Sequence, residues 1–221
     1  MLCIIQARMN SKRFPKKILK KVNNKTILEM VYNQVKKSPV IKKIIIATSS
    51  SKSDNSVEVF CKKKNFEFYR GSQKNVASRF YDLIKKNNYK YFVRISGDSP
   101  LLDFRLINKM YKFCYLNRYD LITNLKPRTY PKGQSIEIIR SNFYLENYKF
   151  ITNNYDKEHV TSYLYRKKSK IKIKSFISKK IFNNSNYCID YKEDLLKIKK
   201  ILKKSKNKIP SLEELDKIKL N

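Results

Sequence analysis

At 221 residues, with 51 basic against 18 acidic side chains and a formal net charge of +33, the chain has room for one α/β unit with a real core. No apolar run approaches the ~20 residues a membrane span requires, the N-terminal run stops at Gln6, and the four cysteines (3, 61, 114 and 188) form no CxxC pair; a membrane protein, a zinc site and a disulfide framework are therefore set aside, and a cytoplasmic location is expected. The charge raises the question of nucleic acid, but lysines are spread through every segment and only 10 of the 51 basic residues are arginine, so it reads as compositional background and no specific nucleic-acid partner is expected.

In chain order, the apolar pattern predicts a strand near 2 to 6, a helix over 26 to 37, a strand over 43 to 48 and a helix over 54 to 64. It continues with a strand near 66 to 69, a helix near 75 to 87, a strand near 90 to 95, a helix near 103 to 116 and a strand near 119 to 122. Strands apolar on both faces and separated by helices predict a mostly parallel sheet covered on both sides, with ligands beyond the strands' carboxyl ends, in the loops after Gln6, Thr48, Tyr69 and Ile95. Beyond residue 123 come a loop with two prolines (NLKPRTYPKG), a strand near 135 to 140, a helix near 155 to 166 and a strand near 170 to 177. This stretch, about 124 to 180, reads as an excursion from a single domain spanning 1 to 221, shaping a second pocket. YCID then predicts a strand ending at Asp190, followed by a Lys-rich helix from Tyr191 and a short helix after Ser211.

Rarity marks the segments of interest. Average usage near ~7% would give about 15 glycines, and there are three: Gly71 in YRGS, Gly97 in SGDSP and Gly133 in YPKG, each expected to answer a backbone need. Six of the ten arginines (8, 13, 70, 79, 94 and 128) fall in segments that other signals mark as functional, where a guanidinium fork suits phosphate and carboxylate.

Two segments carry chemistry on their own residues. QARMNSKRFPKK crowds Arg8, Lys12, Arg13, Lys16 and Lys17 at the end of the first strand, a charge density that suits a triphosphate, with Asn10 and Ser11 able to turn the loop. RISGDSPLLD displays Asp98 at a strand end, where a carboxylate holds Mg²⁺ together with substrate phosphates, while Asp103 suits the N-cap of the next helix. Asp190 in YCIDYKEDL is either a second carboxylate for a shared metal or a helix cap.

QARMNSKRFPKK with KTILE, then ATS, FYRGS, RISGDSPLLD, RTYPKGQSIEI, EHVTSYLY and IDYKEDL resembles, in order and spacing over roughly residues 3 to 200, the cytidylyltransferases typified by the 3-deoxy-manno-octulosonate and acylneuraminate enzymes, the branch of spore-coat polysaccharide biosynthesis above all. The resemblance implies a three-layer, Rossmann-like nucleotide-diphospho-sugar transferase fold, and a nucleotidyltransferase that uses CTP and Mg²⁺, acts on an acidic sugar and assembles as a homodimer. It assigns Arg8, Arg13 and Lys17 to the triphosphate loop with Ser11, Asp98 and Asp190 to magnesium, Ala7 and Arg79 to the cytosine region, and Arg128, Tyr130, Glu137 and His159 to the sugar. The family usually has glycine where this chain has Asn10 and Lys16. His159, the one histidine, is expected to pack or bond substrate rather than to transfer protons, and Tyr163 and Tyr165 to belong to core or interface. Two other readings compete: a glycosyltransferase on the same sheet, which would want an Asp-x-Asp motif where GDS supplies one aspartate, and a basic nucleic-acid-binding protein that retains the fold without needing Asp98 and Asp190.

Overall fold

In the computed structural model, which describes residues 1–116, 118–166, 171–180, 182 and 185–218, strand β1 (Leu2–Gln6) is the axis of the molecule. Its side chains are apolar on both faces because both faces are covered: Cys3 and Ile5 enter one core cluster, Leu2 and Ile4 the other. A hairpin follows, β2 (Lys21–Val22) and β3 (Lys25–Thr26), turned by Asn23 and Asn24 with φ of 49° and 64°, the two positive values that a tight hairpin turn demands. Helix α1 (Ile27–Lys36) starts at Thr26, whose hydroxyl accepts from Glu29 N at 3.1 Å. Then come β4 (Lys43–Ser49), α2 (Asn55–Lys64), β5 (Phe68–Gly71), α3 (Val76–Asn87), β6 (Tyr91–Ser96) and α4 (Phe104–Tyr111). Where most chains would end α2 and α3 on glycine, this one uses Asn65 and Asn88 in left-handed conformation, φ 53° and 45°. Asparagine thus does much of the work that glycine scarcity leaves undone.

The second half contributes β7 (Leu121–Thr123), β8 (Glu137–Arg140), α5 (Ser141–Asn147), α6 (Asn154–Glu158), α7 (Ser162–Arg166), β9 (Ile173–Ser175), α8 (Lys192–Lys204) and α9 (Leu212–Lys217). The main sheet runs β5-β4-β1-β6-β8-β7-β9, parallel throughout except that β8 is antiparallel to both neighbours. The three-layer, mostly parallel α/β architecture is the one expected. The carboxyl ends of β1, β4, β5 and β6 therefore share one edge, and β8, running backwards, brings its first residue Glu137 to that edge too, opposite Arg94.

Several elements differ from expectation. Strand β5 starts two residues late, and the helix expected over 103 to 116 becomes a 3₁₀ turn after Tyr111. The hairpin β2-β3 and helix α5 carry no clear apolar period and were not anticipated. The helix expected over 155 to 166 is two short ones, broken at the buried Val160, which sits at φ 40°, a strained place for a β-branched residue. Residues 185–190 are not a strand; a single bridge, Lys132 to Asn186, joins them to the 130s. Part of the strand expected near 170 to 177 falls outside the described residues, and its described core is β9.

Candidate active site

The basic segment QARMNSKRFPKK leaves β1 and folds back on itself, with Ser11 N and Lys16 N both donating to Met9 O at 2.9 Å. It is pinned from below by Asp54, 1% exposed, whose Oδ1 accepts from Met9 N at 2.7 Å while Oδ2 accepts from Ser49 N at 3.1 Å and Ser49 Oγ at 2.5 Å. A buried carboxylate with three donors is a satisfied one, so Asp54 ties the ends of β1 and β4 together. Sequence reasoning missed it; a lone acid just before a helix, after a strand, is its one trace.

Lys16 follows at φ 60° and ψ 15°, a left-handed position that fits the glycine the resembling family has there. Asn10 shows no such backbone, so its exchange for glycine relieves nothing comparable. Holding a side chain in this region costs about 1–2 kcal/mol, part of which glycine returns as unfolded-state entropy. Lys16→Gly should therefore raise stability by about 0.5–1 kcal/mol, read as a higher urea midpoint at unchanged slope; a lower midpoint would show that the lysine side chain makes good its strain.

The loop ends at Lys17, which is 7% exposed. Its Nζ donates to Asp98 Oδ2 at 2.7 Å, Asp190 Oδ1 at 3.0 Å and Ile189 O at 2.6 Å, so three segments meet on one ammonium. Asp98 is aimed by the sharp turn after β6, where Ser96 Oγ donates to its Oδ1 at 2.6 Å. That turn lies so close to β1 that a Cβ on Gly97 would stand 2.9 Å from Gln6 O, which accounts for the glycine. Asp190 is carried by the 185–190 segment, docked through Ile189 N to Asp98 O at 3.0 Å and through Tyr187 N to Lys132 O at 2.9 Å. Asp194, in the first turn of α8, accepts from Asp190 N and Tyr191 N at 2.8 Å each and fixes the carboxylate's approach. Arg13 joins Asp190 from the solvent side at 2.8 Å and lies over the Tyr191 ring.

Burial pulls at both ends of the cluster, and ion pairing wins. Desolvation would raise the Asp190 carboxyl, but hydrogen bonds from Lys17 and Arg13 hold it below its ordinary value. Desolvation would lower the Lys17 ammonium, but Asp98 and then Asp190 keep it above its ordinary value. The depressed acid contributes stability above its unfolded pKa, lost as pH falls through the folded one; the raised base contributes stability below its unfolded pKa, lost as pH rises through the folded one. Both contributions are thus complete around neutrality. Urea unfolding across pH should show Asp190→Asn trailing the parent most near pH 7, the gap closing below about pH 4; a gap constant into acid would mean that Asp190 is not the titrating partner.

Around this cluster lies a cleft of about 420 Å³, lined by Arg8, Asn10, Ser11, Lys12 and Arg13 on the loop side and by Gly97, Asp98, Asp190 and Glu158 opposite. Of the residues expected at the site, Arg8, Ser11, Arg13, Lys17, Asp98 and Asp190 are brought together here. Arg8 reaches across to Glu158 at 3.1 Å, both half exposed. Ala7 is buried just beneath, its N–H donating to Ala47 O at 3.0 Å; Arg79 Nη1 donates to the same carbonyl at 3.4 Å. Arg79 is 1% exposed, so it stiffens the floor rather than facing the cleft, and burial lowers its guanidinium to about 10. Among the described residues, its Nε and the buried Thr48 hydroxyl have no partner.

The four residues expected on the sugar side do not converge. Arg128 and Tyr130 line a different cleft of about 430 Å³, with Tyr130 stacked on Phe176 and Phe182. Glu137 is 1% exposed and closed in by Arg94 at 2.6 Å, Tyr165 Oη at 2.6 Å and Thr161 Oγ1 at 3.2 Å, which makes it a tie between β6, β8 and α7. His159 is exposed at the end of α6, its ring against Tyr155, next to the cleft-lining Glu158. Arg70, singled out by rarity, is likewise committed, bonding Glu58, Ser49 O and Ser51 O. Asp103 caps α4 as expected, accepting from Arg105 N at 3.0 Å.

Among the described residues no group of three His, Cys, Asp or Glu side chains gathers as a metal cage, and no helix is long and apolar enough to cross a membrane. The chain is similar, at 34% identity over 77% of its length and 69% of the relative's, to the uncharacterized protein MJ1063 of Methanocaldococcus jannaschii. It is 29% identical, over 92% of its length and 87% of the relative's, to the spore coat polysaccharide biosynthesis protein SpsF of Bacillus subtilis. Among solved structures, a cytidylyltransferase from Leptospira borgpetersenii superposes with a TM-score of 0.89 at 29% identity, over 97% of this chain and 91% of that one. The profile of the cytidylyltransferase family matches residues 2–218, so this nucleotidyltransferase, with its basic loop and carboxylate pair at the sheet's edge, belongs to that family.

Proposed function

We propose that the chain transfers CMP from CTP to the anomeric hydroxyl of an acidic sugar, an octulosonic or nonulosonic acid, releasing pyrophosphate for surface glycan synthesis. The observation that carries this reading is the convergence of Asp98 and Asp190 on Lys17 at 2.7 and 3.0 Å, inside a cleft whose other wall is the cationic loop. The triphosphate would lie along residues 8 to 17, taking over Arg8 and Arg13 from their present carboxylates, with Ser11 at its edge. The bond formed joins the sugar oxygen to the α-phosphorus; the bonds broken are that to the bridging oxygen, which leaves on pyrophosphate, and the hydroxyl's O–H bond, whose proton passes to solvent. Arg8, Arg13 and Lys17 stabilise the charge that builds on the phosphate oxygens, the preorganised electrostatic contribution that dominates such transfers.

The donor set fits magnesium, a hard cation that takes one or two carboxylates together with substrate phosphates and needs no thiolate or imidazole cage. Asp98 and Asp190 would hold it, and it would supply charge neutralisation to the phosphates. Ala7, on the floor stiffened by Arg79, would meet the cytosine. The acidic sugar is drawn by the basic surround and enters past His159 and Glu158, with the buried Tyr130 and Glu137 shaping the excursion and Arg128 acting there or, in a homodimer, from a neighbouring copy.

The test is pyrophosphate release in magnesium with each of the four common nucleoside triphosphates against a panel of octulosonic and nonulosonic acids. Release that needs CTP and one of these acids is the expected result. Consumption of a ready-made nucleotide sugar without pyrophosphate release would favour a glycosyltransferase instead. Because the basic charge is background, binding to duplex DNA should fade between low and physiological salt while CTP binding with magnesium persists.

A further inference from the structure

A cavity of about 840 Å³ lies away from the catalytic cleft, between hairpin β2-β3, helix α1 and the end of α8. That volume is within the range of about 300–1,000 Å³ typical of small-molecule sites. Its wall holds Gln34, only 3% exposed, whose side-chain amide has no hydrogen-bond partner among the described residues. Its oxygen and nitrogen are not sealed from solvent, so the amide is open to exchange solvent for a ligand's hydroxyls. Asn33 on the same helix and Asn24 on the hairpin add two further amides.

The walls are held in place by unusual backbone. Asn23 and Asn24 on the hairpin, and Lys206 and Asn207 after α8, all have positive φ (49°, 64°, 51° and 61°), and the two turns are clasped by Asn23 Nδ2 donating to Asn207 Oδ1 at 2.8 Å. Lys25, Lys37 and Lys208 stand around the cleft, and among the described residues no carboxylate lines it. Val22, Met30 and Leu202, buried at 1 to 3% exposure, form its apolar floor.

Each feature selects a chemistry. Side-chain amides donate and accept at once, as sugar hydroxyls do. An apolar floor without aromatic rings accepts the C–H face of a pyranose and offers a nucleobase nothing to stack on. Lysines with no facing acid favour an anion, and the absence of carboxylates rules against a divalent cation. We propose that this cleft is a second binding site, for a saccharide carrying a carboxylate or phosphate. It stands independently of the reaction assigned to the catalytic cleft.

Nuclear magnetic resonance on the full chain tests it, with the Gln34 side-chain amide signals identified by their loss in Gln34→Leu. Should that variant not fold, Asn33→Ala, on a half-buried position, provides the corresponding reporter. The probes are glucuronate, glucose 6-phosphate, glucose and inorganic phosphate. Saturable movement of the reporter with glucuronate or glucose 6-phosphate, at least about tenfold tighter than with glucose and weakened about tenfold by Lys37→Ala, supports the site, and the tighter of the two names the anion. No movement with either, movement by inorganic phosphate as tight as by the sugars, or equal binding of glucose overturns it.

Discussion

Replacing Lys17 by methionine should reduce pyrophosphate release by at least about 10³-fold, the largest kinetic effect expected of any single change in this chain. Methionine keeps the length and apolar stem but removes the ammonium that joins Asp98, Asp190 and Ile189 O. Two carboxylates that now share one cation would face each other across it, and Ile189 O would lose a charged donor. Breaking a fully buried pair costs about 3–5 kcal/mol; with Asp98 and Asp190 side chains 19% and 30% exposed, solvent screening reduces the expected cost to about 1–3 kcal/mol. Two controls separate catalysis from folding. Lys17→Met combined with Asp190→Asn should regain much of the lost stability, since the repulsion is gone, while turnover stays absent. Magnesium should raise the thermal midpoint of Lys17→Met more than that of the parent, because a cation can then take the place of the ammonium. Turnover within tenfold of the parent in folded Lys17→Met would remove Lys17 from the mechanism.

How much of this cluster was legible beforehand depends on the kind of information each residue carries. Asp98 could be found from its own surroundings, because a strand running into Gly-Asp-Ser-Pro states both the end of the strand and the display of the carboxylate. Asp190 could not. It stands 92 residues further on, in a segment whose alternation imitates a strand, and only the ordered resemblance joined it to Asp98. Lys17 was expected to meet phosphate, and its present role as the ammonium between two acids depends on burial that spacing does not reveal. Arginine rarity worked as a filter for structure as much as for function: Arg8 and Arg13 line the cleft, whereas Arg70 and Arg94 hold Glu58 and Glu137. The sheet was legible because two-sided burial writes itself into β1, β4 and β6 as continuous apolar runs. The break at Val160 was not, because nothing in EHVTS signals a left-handed residue, and the strain there is imposed by Thr161 reaching Glu137 and by Val160 itself, which is fully buried.

Gly133 provides the second large effect, this one through geometry. Its φ of 93° is open to glycine and strained for any other residue, and a Cβ added there would stand 2.7 Å from Tyr187 C and 2.9 Å from Cys188 N and Tyr187 O. These are backbone atoms and cannot turn aside as a flexible side chain would. Gly133→Ala should therefore cost about 2–4 kcal/mol, adding backbone strain to overpacking, and push the 185–190 segment off the 130s. Since Tyr187 N bonds Lys132 O and Ile189 N bonds Asp98 O, that displacement travels three residues to Asp190 and pulls the second carboxylate from Lys17. Turnover should fall at least about tenfold, whereas CTP binding, proposed to rest mainly on the 8 to 17 loop, should change little. Urea unfolding paired with pyrophosphate kinetics checks both halves of the expectation. A variant destabilised to this extent yet kinetically unchanged would show that Asp194 and Lys17 seat Asp190 without help from the 130s.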